Sequence, residues 1–232
     1  MKMLDDRIVL IGGGGHCKSV LDCLLRTKVY REIVITDYDS PPGSLIMGCK
    51  VAGTDDVLED LFEEGIRDAF ITIGSIKSPK RRVDAYQRAK SIGFHFPCIC
   101  DPSSIVAESA TVGEGVFVGK NAVINSEVKI CNMAIINTAA VIEHDCSIGE
   151  FTHIAVGAVV CGSTEVGCWS FVGANATLIQ GLSIGEGCVI GAGCTVQRDL
   201  SAGSFVANRP DKMSFRMESG ADVCMPEKWT GI

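Results

Sequence analysis

Two histidines nine residues apart, His144 in IEHDC and His153 in FTHIAVG, are the strongest candidates for proton chemistry in this chain. Glu143 precedes His144 and Asp145 follows it. A carboxylate beside an imidazole fixes its tautomer and raises its basicity, which suits a general base near neutral pH. Of the other two histidines, His16 closes the run Gly12-Gly13-Gly14-Gly15, which lies between an apolar strand pattern and a helical one. Backbone N–H groups and the positive end of a helix can cradle a phosphate there. The stretch Asp37-Tyr38-Asp39 ends the next apolar run, where a carboxylate is placed to accept a ribose hydroxyl. Cys17 stands where a dinucleotide fingerprint has Gly or Ala, which disfavours NAD. A different nucleotide, and a tight turn with no ligand, both stay open on spacing alone.

The elements that must carry these residues are of two kinds. Every sixth residue from Val106 to Val196 is Ile, Val or Leu, sixteen in a row. Because these types make up roughly a quarter of the chain, that run is about a one-in-a-billion accident. A period of six fits neither a helix nor simple alternation. It suits short strands separated by tight corners that need a Gly or another small residue, three sides closing one turn of a triangular prism. One aliphatic per side then points inward. His144 and His153 fall two and five places after Ile142 and Ile148, at phases that face outward. They lie half an 18-residue coil apart, so one chain holds them on roughly opposite sides, and they share a site only where chains pack side by side. Gly162 stacks one coil beyond His144, with its N–H facing the same groove.

Before the repeat, RIVLIG (7–12), EIVITD (32–37) and DAFITIG (68–74) read as strands, and HCKSVLDCLLR, VLEDLFEEG and PKRRVDAYQRAKSIG as helices. That alternation implies a small parallel sheet with right-handed crossovers. The period changes near Pro97–Pro102, which divides the chain into a Rossmann-like α/β domain (1–100), a β-prism (101–212) and a tail (213–232) to which no function is assigned.

Composition narrows the partners. A formal net charge of -7 without a long Lys/Arg run argues against nucleic acid and anionic membranes. The charged N-terminus running into a short strand is neither a signal peptide nor a membrane span, so a cytoplasmic location is expected. Of twelve cysteines, Cys146, Cys188 and Cys194 occupy the small inward slot of the repeat, where a thiol acts as a compact hydrophobe. Reduced structural cysteines are the expectation, and Cys98-x-Cys100 is a weak metal signal. Zinc held by prism histidines needs a third His about two coils before His144, but residues 107–109 are Ala, Glu and Ser, so no metal is expected.

GGGGHCKSV (12–20), KVAGTDDVL (50–58), DPSSIVAESATVGEGVFVG (101–119) and above all INTAAVIEHDCSIGEFTHIAVGAVVCG (136–162) carry a resemblance over residues 7 to about 210. The chain resembles the bacterial sugar acetyltransferases of the sialic acid O-acetyltransferase and nucleotide-aminosugar N-acetyltransferase type. The resemblance implies a left-handed parallel β-helix after the Rossmann-like domain, a homotrimer, and acetyl-CoA as acetyl donor. It implies transfer to the amine of a UDP- or GDP-linked 4-amino-deoxysugar, with O-acetylation of a sialic-acid-like sugar and a non-catalytic nucleotide-sugar scaffold as alternatives. Carried over by position, His144 is the general base with Asp145 behind it. His153 contacts acetyl-CoA, and Gly162, Ala174 and Ala192 lie along the cofactor groove. Gly14, Gly15, His16, Asp37, Tyr38 and Gly74 form the nucleotide-sugar pocket, with Tyr38 in place of a second acidic residue found in some members. No covalent acyl-enzyme is needed, because His144 takes the amine proton directly.

Overall fold

The buried apolar run Ile8–Ile11, inaccessible on both faces, forms an interior strand of the first sheet, as expected for a parallel strand covered by helices. The computed structural model of the chain describes residues 6–74 and 79–207. β1 (Arg7–Ile11) pairs in parallel with β2 (Glu32–Thr36) on one side and β5 (Asp68–Ile71) on the other. α1 (Gly15–Thr27) follows β1 and buries Cys17, Val20, Leu21 and Leu24, spaced along one helical face. α2 (Leu58–Glu63) and α3 (Lys80–Ile92) complete the layers.

The sheet is not wholly parallel. β3 (Leu45–Ile46) and β4 (Cys49–Gly53) form an antiparallel hairpin, giving the order β3-β4-β2-β1-β5. Its two turn residues, Met47 and Gly48, have φ of 49° and 84°, the paired positive angles of a type I′ hairpin. Met at the first of them gives no turn signal, which is why the sequence pattern passes over this hairpin.

From Ile99 the backbone winds through eighteen two-residue strands, β6 (Ile99–Cys100) to β23 (Phe205–Val206), in three parallel sheets of five, six and seven strands. Partners such as Val123↔Val141 and Ile135↔His153 lie 18 residues apart. The repeat aliphatics from Val118 to Val196 are buried in one core, with Val106 and Val112 partly buried at its open end. The small slot also works as expected. Cys146, Cys188 and Cys194 are buried there, and Thr152 and Thr164 turn their hydroxyls onto corner carbonyls of the next side, Gly167 O at 2.9 Å and Ile179 O at 3.0 Å.

The corners work differently from a simple glycine turn. Positive φ recurs every sixth residue from Gly115 to Gly193, three places after each aliphatic, and nine of these residues are not glycine. Left-handed backbone costs roughly 1–2 kcal/mol for an ordinary side chain. Each corner residue offsets that strain by donating its N–H to the coil before it, as Ser163 does to His144 O at 2.9 Å. Gly149 sits elsewhere in the repeat and is needed for close approach, since a Cβ there would stand 2.4 Å from the Cys168 backbone nitrogen. Gly149→Ala is therefore expected to cost about 3 kcal/mol, as overpacking against backbone does. Gly14→Ala, where a Cβ meets nothing within 4 Å, should stay within about 0.5 kcal/mol. Urea midpoints of the two variants check this.

The repeat also runs further than its sequence phase shows. After Val196 a coil shortens, pairing Ile184 with Leu200 and Ile190 with Val206 at a spacing of 16, so the aliphatic row continues two residues out of step. The α/β layer docks on one prism face. Phe117 and Ile135 join the apolar cluster of α1, and Met133 and Phe151 join that of α2 and α3. Arg82 of α3 is fully buried there and donates to the corner carbonyls of Met133 and Phe151. Among the described residues, no helix is long and apolar enough to cross a membrane.

Candidate active site

β13 (Val141–Ile142) ends at a prism corner, and the two residues that turn it are His144 and Asp145. Asp145 takes the left-handed corner conformation with φ of 60°, which a short carboxylate side chain tolerates better than most. Its Oδ2 lies 2.7 Å from His144 Nδ1. A carboxylate accepts from an N–H there, which leaves Nε2 as the basic nitrogen. The imidazole is largely exposed, outside the prism core. Its ring lies over Gly162, where an added Cβ would stand 2.7 Å from both Cε1 and Nε2. One coil of separation thus brings His144, Asp145 and Gly162 to one corner. A cavity of about 330 Å³ opens beside it, lined by Asp145, Glu127, Lys129, Ser147 and Glu165.

Cys146 is spatially close but chemically idle. Its thiol donates to the Cys161 carbonyl at 3.2 Å, and burial pushes its pKa up, so little thiolate forms.

His153 begins β15 (His153–Ile154) and stands outside the prism core, as its phase requires. It is not a surface histidine, however: only 9 % of it is accessible. The α/β layer sits beside it, so that phase faces outward from the prism yet inward to the molecule. Its ring packs edge-on to Phe171, centroids 5.3 Å apart, and Nε2 meets Asn137 Nδ2 at 3.2 Å. Ala174 and Ala192 lie on a different corner from Gly162. At all three the backbone N–H finds no acceptor among the described residues.

The six residues assigned to nucleotide-sugar binding, Gly14, Gly15, His16, Asp37, Tyr38 and Gly74, line one cavity of about 220 Å³. Asp37 does not sit there as a free acceptor for a ribose hydroxyl. Gly13 N–H reaches its Oδ1 at 2.9 Å, Ser40 Oγ its Oδ2 at 2.6 Å, and the backbones of Ser40 and Asp39 bond to it as well. A carboxylate has about four lone-pair sites, so Asp37 is spent on clamping the glycine turn to the end of β2. Partial burial raises its pKa, but these hydrogen bonds outweigh it and hold the group below its ordinary value.

Two family models match the chain: the PglD N-terminal domain over residues 7–86 and the hexapeptide repeat of succinyl-transferase over residues 164–198. A solved structure of a histidine-to-alanine mutant of GDP-perosamine N-acetyltransferase from Caulobacter crescentus, in complex with CoA and GDP-perosamine, is 34% identical. It aligns over 85% of this chain and 91% of its own with a TM-score of 0.80. The acetyltransferase domain of PglB from Neisseria gonorrhoeae FA1090, in complex with acetyl coenzyme A, is 32% identical over 89% of this chain and 98% of its own, with a TM-score of 0.82. The chain belongs to the hexapeptide-repeat sugar acetyltransferases. WeeI from Acinetobacter baumannii AYE, at 20% identity and a TM-score of 0.76, shares the fold.

Membership of the acetyltransferase family gives the prism its left hand, against the usual right-handed crossover. The acetyltransferase's α/β cavity is also lined by Asp39, from the acidic stretch noted in the sequence, and by Asp55, Thr72 and Arg81, which the sequence reading did not name. Arg81, at the start of α3, carried no signal, since it is remote in sequence from the glycine run and only the fold brings it to the cavity. Asp55 carried none, because its role depends on Thr36, whose hydroxyl donates to it at 2.7 Å. Among the described residues no group of three or more His, Cys, Asp or Glu is placed to hold a metal.

His16 of the acetyltransferase sits on the seam between its two layers. Its ring is edge-on to Phe117 of the prism, and its Nε2 is buried without a partner. Burial, and then the positive charge of Arg82, lower its pKa to about 3. The unfolded chain takes up this proton below about 6.5, whereas the folded chain resists it down to about 3. The stability is therefore complete above pH 6.5 and is lost as the pH falls. From pH 7 to pH 5 it should drop by about 2 kcal/mol. His16→Gln should flatten that slope in denaturant titrations at the two pH values.

Proposed function

We propose that this acetyltransferase moves the acetyl group of acetyl-CoA onto the amine of a nucleotide-linked 4-amino-deoxysugar, with His144 as general base. The single observation that carries the reading is the corner where His144 Nδ1 meets Asp145 at 2.7 Å while its Nε2 end lies over Gly162. It presents a basic nitrogen and an unbonded backbone N–H to the same open groove.

In this account acetyl-CoA supplies the acetyl group as a thioester. His144 Nε2 takes a proton from the acceptor amine as its nitrogen attacks the thioester carbonyl. The carbon–sulfur bond then breaks, and CoA leaves as the thiol with the proton that His144 gives back. Gly162 N–H faces the oxygen that gains charge, and one such donor is worth about 3 kcal/mol in related acyl transfers. His153, Ala174 and Ala192 hold the coenzyme. Because Gly162 and the Ala174–Ala192 pair sit on different corners, a groove holding both forms between neighbouring prisms, which supports a homotrimer. The net charge and the absence of a long apolar helix among the described residues fit a cytoplasmic enzyme.

The glycine-lined cavity favours a nucleotide sugar over a free sialic-acid-like sugar. The test is a screen of UDP- and GDP-linked aminosugars with acetyl-CoA, reading released thiol, alongside thermal shifts with UDP, GDP and free sugars. Thiol release and stabilisation only with a nucleotide-bearing ligand are expected. Stabilisation by the free sugar alone would replace this reading with O-acetylation.

A further inference from the structure

We propose that Arg82 is a positioning residue: by holding two successive coils of the prism from the first turn of α3, it sets where the nucleotide-sugar cavity stands relative to the active corner. This role rests on the reading that the cavity takes the nucleotide of the acceptor and that the prism carries the general base. Arg82 is 1 % accessible, and among the described residues no carboxylate pairs with it. One terminal nitrogen donates to the Phe151 carbonyl at 3.3 Å and the other to the Met133 carbonyl. Those two corners lie 18 residues apart, which is one coil. The guanidinium also stands 5.7 Å from the centre of the Phe151 ring. Burial pulls its pKa down only to about 10, so the cation persists at neutral pH. A buried ion adds little net stability, and its best-attested use is to fix registry.

Arg82, Tyr86 and Lys90 recur every fourth residue along α3, so they share one helical face. Tyr86 donates to Glu114 Oε1 at 2.6 Å and packs edge-on against Phe151, and Lys90 reaches Glu114 at 2.7 Å. That face therefore runs along one prism edge over three coils, from Glu114 through Met133 to Phe151. The Lys90 end is held by an ion pair open to solvent, which contributes little. The Arg82 end is held by buried bonds to backbone. Arg81, the residue before it, lines the nucleotide-sugar cavity. The cavity wall and its anchor on the prism are thus consecutive residues, and a slide of the anchor displaces the wall. His16, which lines the same cavity, is close enough to feel the Arg82 charge.

The test compares Arg82→Met, Arg82→Lys and the control Lys90→Met in the full-length enzyme, by amide hydrogen exchange and by kinetics. In Arg82→Met, peptides spanning α3 and the corners at Met133 and Phe151 should exchange about tenfold faster or more, while peptides from residues 177–196 keep the wild-type rate. Affinity for GDP or UDP should stay within about twofold of the wild type, because the glycine turn is untouched. The kcat for acetyl transfer should nevertheless fall about 100-fold, the loss that a displacement of about 1 Å brings. The ammonium of Arg82→Lys cannot span both carbonyls, so its kcat should lie between. Lys90→Met should match the wild type in every reading. Wild-type exchange at the seam in Arg82→Met, or a wild-type kcat beside faster exchange, would overturn the proposal. So would nucleotide affinity lost in step with kcat, the mark of a merely structural role. If the Met variant does not fold, Arg82→Lys decides by the same readings. If the wild type acetylates no nucleotide aminosugar, the reading of the cavity fails, and the exchange rates alone decide whether Arg82 fixes the two layers.

Discussion

His144→Ala is expected to lower kcat for acetyl transfer by about 100- to 10,000-fold, the range that a positioned general base contributes. The fold should survive, because the imidazole lies outside the prism core with more than half its surface in solvent. The contacts to its carbonyl, from Ser163 N–H at 2.9 Å and the Cys146 thiol at 3.7 Å, are to backbone and outlast the substitution. Thermal midpoints should accordingly move by no more than a surface substitution does, within about 0.5 kcal/mol. A lost rate beside an unchanged thermal midpoint separates a lost base from a lost fold. A variant that turns over at the wild-type rate would remove His144 from the chemistry.

Gly162→Ala should lower kcat about 100-fold without removing any group that reacts. Gly162 is not in the left-handed region, so its backbone accepts alanine. The new methyl would nevertheless sit 2.7 Å from His144 Cε1 and Nε2. The ring must swing away, and a displacement of about 1 Å at a reacting group costs about that much rate. The double variant Gly162→Ala/His144→Ala is the sharper measurement. If the glycine acts by leaving room for the imidazole, the double variant should be about as slow as His144→Ala alone, because the second change has nothing left to displace. Losses that multiply would show that Gly162 acts independently of the ring.

The prism was legible because a single physical demand, one aliphatic inward per side, repeats at every coil from Val106 to Val196. The same repeat fixed the outward phases of His144 and His153. It could not tell that the outside of the prism at His153 is the inside of the molecule, because the neighbour there is His16 of α1, whose own periodicity says nothing about what that helix covers. Left-handed corners were hidden for a different reason. They fall on Met133, Phe151 and Trp169, side chains that avoid positive φ, and are held there by hydrogen bonds to the preceding coil. The coil shortened after Val196 broke the phase while the packing continued through Leu200 and Val206. In the glycine-rich pocket, residue type and spacing identified Asp37 but not its use. Only the positions of Gly13 and Ser40 reveal that its oxygens are already taken.

The most direct measurement of the central claim is a mass analysis of the sugar nucleotide after incubation with acetyl-CoA, with released CoA thiol counted in the same reaction. The account predicts one acetyl group on the amine of a nucleotide-linked 4-aminosugar for each thiol released, and a rate lowered at least a hundredfold in His144→Ala. Thiol release that leaves every nucleotide aminosugar unmodified, while a free sugar hydroxyl gains the acetyl group, would contradict it.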